Sequence, residues 1–462
     1  MILENNKKNI NSFQKKLFMS AKLINSVIII LLFFGMFVYY IFFPRTTESN
    51  YDKDLKKFPE YTREQLISGE YFKGISDYLS DTIHGRDKFK EYASQIEALY
   101  GIVDEEQFFG NPNPPEGNEN SSYTNTSVQD ESDNSEVSEN DSSDTLSTDN
   151  SSDTVSVEPE PMDEQLCEGI VILGTRAMEL YYGNTDNVKK YAEYLNAYKA
   201  QLGDGVRVYS MVIPKACAYY IHDSKKFSDV WEHTVNDLET IKENLNGVEN
   251  VDVYNALLPH TAEDIYFRTD HHWTGLGAYY GAQEFAKTAG VPFSDLSTYK
   301  KEVREGFVGT MYRYTNNSAT LLNNPDDFIY YVPSGTYTAS FYDWRFNFIK
   351  NHDMFFYISE EKKSNLFLTY LNGDAYAAKI ESDVCDNGRK LIIFKDSYGN
   401  PLAPYLLESF EEIYVVDIRK FELNGIEFIQ ENGITDVLFA MSAYSAASSG
   451  VNRDIERIRV IQ

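Results

Sequence analysis

The sequence is short of cysteine and of positive charge. Three cysteines in 462 residues (Cys167, Cys217 and Cys385) are too few and too scattered for a disulfide framework, and their spacing fits no metal-ligand pattern. Lys and Arg number 42 against 71 Asp and Glu, a formal net charge of −29. Nucleic-acid binding needs a concentrated basic surface, so that class of partner is excluded. Histidine is scarce too, at seven. Hydrophobic residues still make up 42% of the chain, which excludes a wholly disordered protein. At roughly 100–200 residues per domain, the length allows two or three domains or one large enzyme.

The missing charge is unevenly spread. Residues 111–165 hold 15 acidic side chains and no Lys or Arg, among repeated Asn, Ser and Thr. Removing them takes the chain from −29 to −14. Such a segment cannot bury enough apolar surface to offset its ordering entropy, so 111–165 is predicted to be a disordered acidic linker. From Leu23 to Phe43 the chain carries no charge of either sign and is apolar on every face. At 1.5 Å per residue this run covers a hydrocarbon core of about 30 Å. Lys7, Lys8, Lys15, Lys16 and Lys22 precede it and only Arg45 follows closely. The positive-inside rule therefore makes 1–22 a cytoplasmic tail, 23–43 a single transmembrane helix, and the rest extracytoplasmic. A cleaved signal peptide would have a shorter apolar region with small residues after it, and IFFPRTTE offers none.

Residues 50–110 read as a helical membrane-proximal region. Tyr71, Ile75, Tyr78 and Leu79 form one stripe, and Phe89, Tyr92 and Ile96 a second, with Gly85 between. From 166 to 462 strands and helices alternate. Strands are predicted at 169–175, 207–214, 248–257, 390–397, 412–419 and 435–441. Helices are predicted near 187–202, 230–245 and 274–289, and after the strands ending at 397 and 419. Continuous apolar strands between helices predict a three-layer α/β domain with a parallel sheet. The aromatic-rich stretch 301–388 fits the alternation poorly and reads as a β-rich insertion. Its rings from Phe328 to Phe348 suit strand-pair packing, with sugar stacking as the other use.

Two short stretches carry chemistry. Arg268-Thr269-Asp270-His271-His272-Trp273-Thr274 puts two histidines beside an acid, just before a helix. Lys395-Asp396-Ser397-Tyr398-Gly399-Asn400 follows an apolar strand, so Ser397 sits at a strand's carboxyl end, the edge where open α/β sheets bind ligands. A serine nucleophile needs a base, and the base needs an orienting carboxylate. Asp270 and His272 supply both from one loop, with His271 as the alternative base. A predicted helix start after Ser397 would suit an oxyanion. Ser397 and Asp396 also read as plain capping residues. Asp-His-His resembles a metal cluster too, but no further acidic motif accompanies it, so no metal and no cofactor is expected.

TDHHWT with a later KDSY resembles the DHHW family of bacterial membrane-anchored proteins. That family is related to the SGNH-hydrolase-like domains of the alginate O-acetyltransferase accessory proteins. The resemblance also takes in EYFKGISDYLSDTIHGRDKF and PYLLESFEEIYVVDIR. It implies an SGNH-hydrolase-like fold and a catalytic triad of Asp270, His272 and Ser397 that transfers acetyl to a polysaccharide. Lys395 stands where the pattern usually has Gly. In place of the oxyanion Gly and Asn of typical SGNH enzymes, the expected donors are the Ser397 amide with Asn400 and Arg268, and Tyr398 joins them on the substrate side.

Two functions follow. One is an extracytoplasmic O-acetyltransferase or acetylesterase of a cell-envelope polysaccharide, served by a multi-pass membrane acyltransferase that delivers acetyl. The other is a non-catalytic glycan-binding or assembly protein that keeps the fold.

Overall fold

The structure, a computed structural model, describes residues 57–86, 106–110 and 167–461, with a few single positions between 27 and 92. The predicted tail 1–22, most of the 23–43 and 89–96 runs, and the predicted linker 111–165 lie outside the described residues. Among the described residues no helix is long and apolar enough to cross a membrane. The chain divides into two units, residues 1–100 and 101–462.

In the first unit, helices span Arg63–Ser68 and Glu70–Asp81. Thr62 caps the first by accepting from the Gln65 amide at 3.2 Å. Gly69, at φ +84°, turns the chain between them, a conformation other residues adopt at a cost. Along the second helix the predicted stripe Tyr71, Ile75, Tyr78 and Leu79 is half-buried, while Phe72, Lys73, Ser76 and Asp77 are exposed.

The described strands of the second unit are β1 Glu106–Gly110, β2 Cys167–Leu173, β3 Arg176–Tyr181, β4 Arg207–Ile213, β5 Glu249–Asn250, β6 Lys300–Phe307, β7 Asp326–Val332, β8 Tyr337–Tyr342, β9 Phe348–Asn351, β10 Ala377–Ser382, β11 Lys390–Lys395, β12 Glu412–Asp417 and β13 Asp436–Ser442. Eight form one sheet in the order β5-β4-β13-β11-β12-β10-β8-β9. From β5 to β12 the pairings are parallel. β10, β8 and β9 then add on antiparallel. The sheet is therefore mixed, parallel across the strands from β5 to β12 and antiparallel beyond, where a parallel sheet was expected. The 301–388 stretch extends the sheet through three strands, and β6 and β7 pair separately as a two-stranded ribbon.

Register shows why the inner strands read as unbroken apolar runs. Phe394 of β11 pairs with Phe439 of β13, while Ile393, Leu438 and Tyr209 form the neighbouring row. Successive side chains point to opposite faces. Helix Thr185–Leu202 sets Tyr198 against Phe439 and Phe394 on one face. Helix Gly275–Ala289 sets Phe285 against Tyr209 on the other. Both faces are covered, and Leu391, Ile392, Ile393 and Phe394 are fully buried, each such burial stabilising by about 1.5–3 kcal/mol. A second, smaller core gathers Phe267, Phe307, Phe328, Leu366, Phe367 and Tyr370.

Further predicted elements change on folding. The 169–175 strand is β2, and it joins β1 and β3 in a separate antiparallel sheet. Glu106–Gly110, expected in the helical region, is a strand of this sheet, so the acidic 111–165 segment falls between two paired strands. Only Glu249–Asn250 of the 248–257 strand is extended; Asp252 caps a short helix, Val253–Leu257. After β11 no α-helix follows, only two 3₁₀ turns, Ser397–Gly399 and Ala403–Leu406. Pro401 and Pro404 cannot donate to an α-helical ladder, so the helix dipole expected behind Ser397 is absent.

Candidate active site

The histidine loop is held closed at its base by an isolated bridge between Tyr266 and Trp273. Thr274 ends it by capping helix Gly275–Ala289, accepting from the Gly277 amide at 3.2 Å. Asp326, at the start of β7, holds the incoming strand. Its carboxylate accepts from the amides of Arg268 and Thr269, the Thr269 hydroxyl at 2.6 Å and Arg268 Nε at 3.0 Å.

This fixes Asp270, which is buried and accepts four hydrogen bonds. The His272 amide (3.1 Å) and Nδ1 (2.7 Å) reach Oδ1; the Thr310 amide (2.9 Å) and hydroxyl (3.0 Å) reach Oδ2. Gly309 leaves room for this, because a Cβ there would fall 2.4 Å from the Asp270 side chain. Burial alone would raise the Asp270 pKa, but His272 and the Thr310 amide outweigh it and hold the carboxyl well below the usual range.

An ionised carboxylate only accepts, so His272 Nδ1 donates to it, and in the neutral imidazole Nε2 is then the acceptor. Nε2 lies 2.8 Å from Ser397 Oγ and accepts the hydroxyl proton of that contact. The ring of Phe367, from the smaller core, stacks on the His272 imidazole at 3.7 Å between centroids and 7° between planes. The structure thus brings Asp270, His272 and Ser397 into one buried hydrogen-bonded row, held flat by Phe367.

The serine turn and the histidine loop are tied reciprocally. Trp273 Nε1 donates to the Tyr398 carbonyl at 3.0 Å, and the Tyr398 hydroxyl donates to the His271 carbonyl. Asp396 caps the turn, accepting from the Tyr398 amide (3.0 Å) and from the Ser442 amide at the end of β13 (2.8 Å).

Lys395 stays clear of the nucleophile. Its ammonium pairs with Asp374 and lies 3.6 Å from Asp417, its register partner on β12. Burial would lower its pKa, but these two carboxylates outweigh it and raise it. Gly399 makes space for the Lys395 stem, since a Cβ there would sit 2.4 Å from the Lys395 Cβ.

The side chains expected around the oxyanion and substrate make hydrogen bonds of their own. Arg268 donates to Asp326 and, at 2.7 Å, to the Pro325 carbonyl. Asn400 Nδ2 donates to Asp374 at 3.1 Å. The Tyr398 hydroxyl is held by His271. Sequence reasoning missed Thr310, Asp326 and Phe367, which lie 38–95 residues beyond His272 in no pattern of their own.

Among the described residues, the grouping able to hold a metal is Asp270, His271 and His272, with ligand atoms within 4.8 Å of one another. Hydrogen bonds occupy both His272 nitrogens, both Asp270 oxygens and His271 Nδ1. That leaves one bare nitrogen, and a metal site needs several ligands.

A mixed-sheet α/β unit with an Asp–His–Ser row at the carboxyl end of a central strand defines the class. The DHHW protein family matches residues 51–416, and the chain belongs to it. The crystal structure of a DHHW family protein from Eubacterium siraeum is 43% identical, covering 63% of this chain and 94% of that one with a TM-score of 0.58. Bacillus cereus PatB1, solved with a sulfonyl adduct, is 18% identical over 61% of this chain and 96% of that one, TM-score 0.51, and shares the fold. The O-acetyltransferase domain of Pseudomonas putida AlgJ matches at 11% identity and a TM-score of 0.35, over 60% and 91% of the two chains. No curated protein matches.

Proposed function

We propose that this chain is a serine O-acetyltransferase or acetylesterase of a cell-envelope polysaccharide, built on an SGNH-hydrolase-like domain. In this reading the 23–43 segment anchors it in the membrane, with residues 1–22 in the cytoplasm and the second unit outside. The observation that carries the reading is the row of hydrogen bonds from Asp270 through His272 to Ser397.

The geometry suits covalent catalysis. Ser397 Oγ attacks the acetyl carbonyl of a donor while its proton passes to His272 Nε2. Asp270 stabilises the imidazolium. The tetrahedral intermediate collapses, the donor's leaving group takes the proton, and an acetyl ester remains on Ser397. A sugar hydroxyl or water then gives its proton to His272 and attacks that ester, and Ser397 leaves with the proton. A multi-pass membrane acyltransferase is the proposed source of acetyl outside the membrane.

The test is intact mass of the detergent-solubilised full chain after brief exposure to p-nitrophenyl acetate. The expected result is one acetyl gained and mapped to Ser397, and none in Ser397→Ala. No adduct on the wild-type chain sinks the proposal. It would favour the second reading, a non-catalytic glycan-binding or assembly protein, which the commitment of Arg268, Asn400 and Tyr398 to other partners supports.

A further inference from the structure

His271 is the member of the motif that this chemistry leaves without a task. Its tautomer follows from its neighbours. The Thr310 hydroxyl has one proton and donates it to Asp270 Oδ2, a carboxylate that only accepts. The 2.7 Å contact between Thr310 Oγ1 and His271 Nδ1 therefore has the imidazole as donor. Nδ1 carries the proton and Nε2 is bare.

Burial and the nearby His272 outweigh the opposing pull of Asp270 and hold the His271 pKa well below the ordinary histidine value, with Lys215 and Arg313 adding to this, so the ring is neutral. Among the described residues no hydrogen bond reaches Nε2. The side chain keeps 17% of its surface exposed and lies 3.8 Å, ring to ring, from His272. A bare acceptor, reachable from solvent and beside the base, is placed to read the incoming acceptor molecule.

We propose that His271 Nε2 accepts a hydrogen bond from a second hydroxyl of the acceptor, next to the one that is acetylated. The inference rests on the acetyl-transfer reading. The attacking hydroxyl has a single proton, which goes to His272 Nε2, so it has none to offer His271. A hydroxyl on the adjacent carbon does. Two imidazoles side by side thus match a vicinal diol, and the substrate class is a saccharide with a free hydroxyl beside the acetylation position. His271 is a specificity-determining residue, separate from the base.

The test partitions the acetyl group of acetyl-Ser397, formed on the full chain with p-nitrophenyl acetate, between water and small alcohols. Ethylene glycol carries the second hydroxyl; 2-methoxyethanol keeps the oxygen and removes its proton. One net hydrogen bond predicts that the wild-type chain prefers ethylene glycol by about tenfold. In His271→Phe the preference falls to what the doubled hydroxyl count of ethylene glycol gives, and His271→Gln, which retains an acceptor, recovers part of it. Equal transfer to both alcohols by the wild-type chain, or a preference kept in His271→Phe, overturns the proposal. Should His271→Phe not fold, imidazole ¹⁵N spectra of the wild-type chain decide the tautomer. Nδ1 protonated and Nε2 bare is expected; the reverse overturns the inference. Absence of acetyl-Ser397 defeats the underlying reading instead, so the two failures are distinguishable.

Discussion

Two buried polar networks hang from the carboxyl end of β11, and they are built on opposite principles. One joins Lys395 and Arg419 to Asp374 and Asp417, with Arg419 donating to Asp417 at 2.5 and 2.9 Å and to Asp374 at 3.1 Å. Two cations pair with two carboxylates, Asn400 adds a hydrogen bond to the Asp374 carboxylate, and the Lys420 ammonium donates to the Asp374 carbonyl. The other contains one carboxylate, an imidazole whose proton can move, and a hydroxyl at its end. A closed set of fixed charges can only hold the strands together. A row ending in a movable proton can do chemistry. Lys395 and Ser397, two residues apart, belong to different networks because β11 ends at Lys395 and Asp396 caps the turn that begins at Ser397.

The comparison breaks most visibly at Asp270. Asp270→Asn keeps the shape but removes the carboxylate that fixes the His272 tautomer, and acetylation of Ser397 should slow by about 10³–10⁴-fold, as for a serine triad. The measurement is nitrophenol release under single-turnover conditions. A loss below tenfold would mean that His272 finds its tautomer without Asp270. The same variant tests linkage. A carboxyl with a depressed folded pKa contributes stability above its unfolded value of about 3.9 and loses it as pH falls through the folded value. Between pH 7 and pH 3, urea midpoints should therefore fall further for the wild-type chain than for Asp270→Asn.

At the closed network the expectation is reversed. Lys395→Met removes the ammonium that faces Asp374 and Asp417, and breaking a buried pair costs about 3–5 kcal/mol of stability. Urea unfolding measures this. Under conditions where the variant is folded, its acetylation rate should change far less than that of Asp270→Asn. Equal losses of rate in the two variants would show that Lys395 also serves the reaction, and the division between the networks would fail.

Much of this was legible in the sequence, for reasons that differ by element. β4, β11, β12 and β13 read correctly because a strand covered on both faces is a continuous apolar run. Helices Thr185–Leu202 and Gly275–Ala289 read correctly because they are long and periodic. β2 has the same apolar signature and belongs to another sheet, since composition says nothing about pairing partner. The segment after Ser397 is apolar enough for a helix, but Pro401 and Pro404 leave it as two 3₁₀ turns. Asp270, His272 and Ser397 stood out because their residue types are rare together and have a known use. Thr310, Asp326 and Phe367 are supports, selected by shape and by single hydrogen bonds from distant segments, and such contacts leave no local pattern.

Phe367 offers the smallest and sharpest test of the open network. It makes no hydrogen bond in the row; it contributes a flat face 3.7 Å from the His272 imidazole. Phe367→Leu keeps an apolar side chain in the smaller core and removes the stacking. Aromatic pairing contributes about 0.5–1.5 kcal/mol beyond area burial, which corresponds to a slowing of acetylation by about two- to tenfold. If the ring only fills the core, the variant will lose stability and keep its rate. If it holds the imidazole in line with Ser397, the rate will fall even where unfolding shows the domain fully native. Because Phe367 belongs to the smaller core with Phe267 and Phe328, a loss of rate without loss of fold would make that core part of the reactive network, with no counterpart in the closed one.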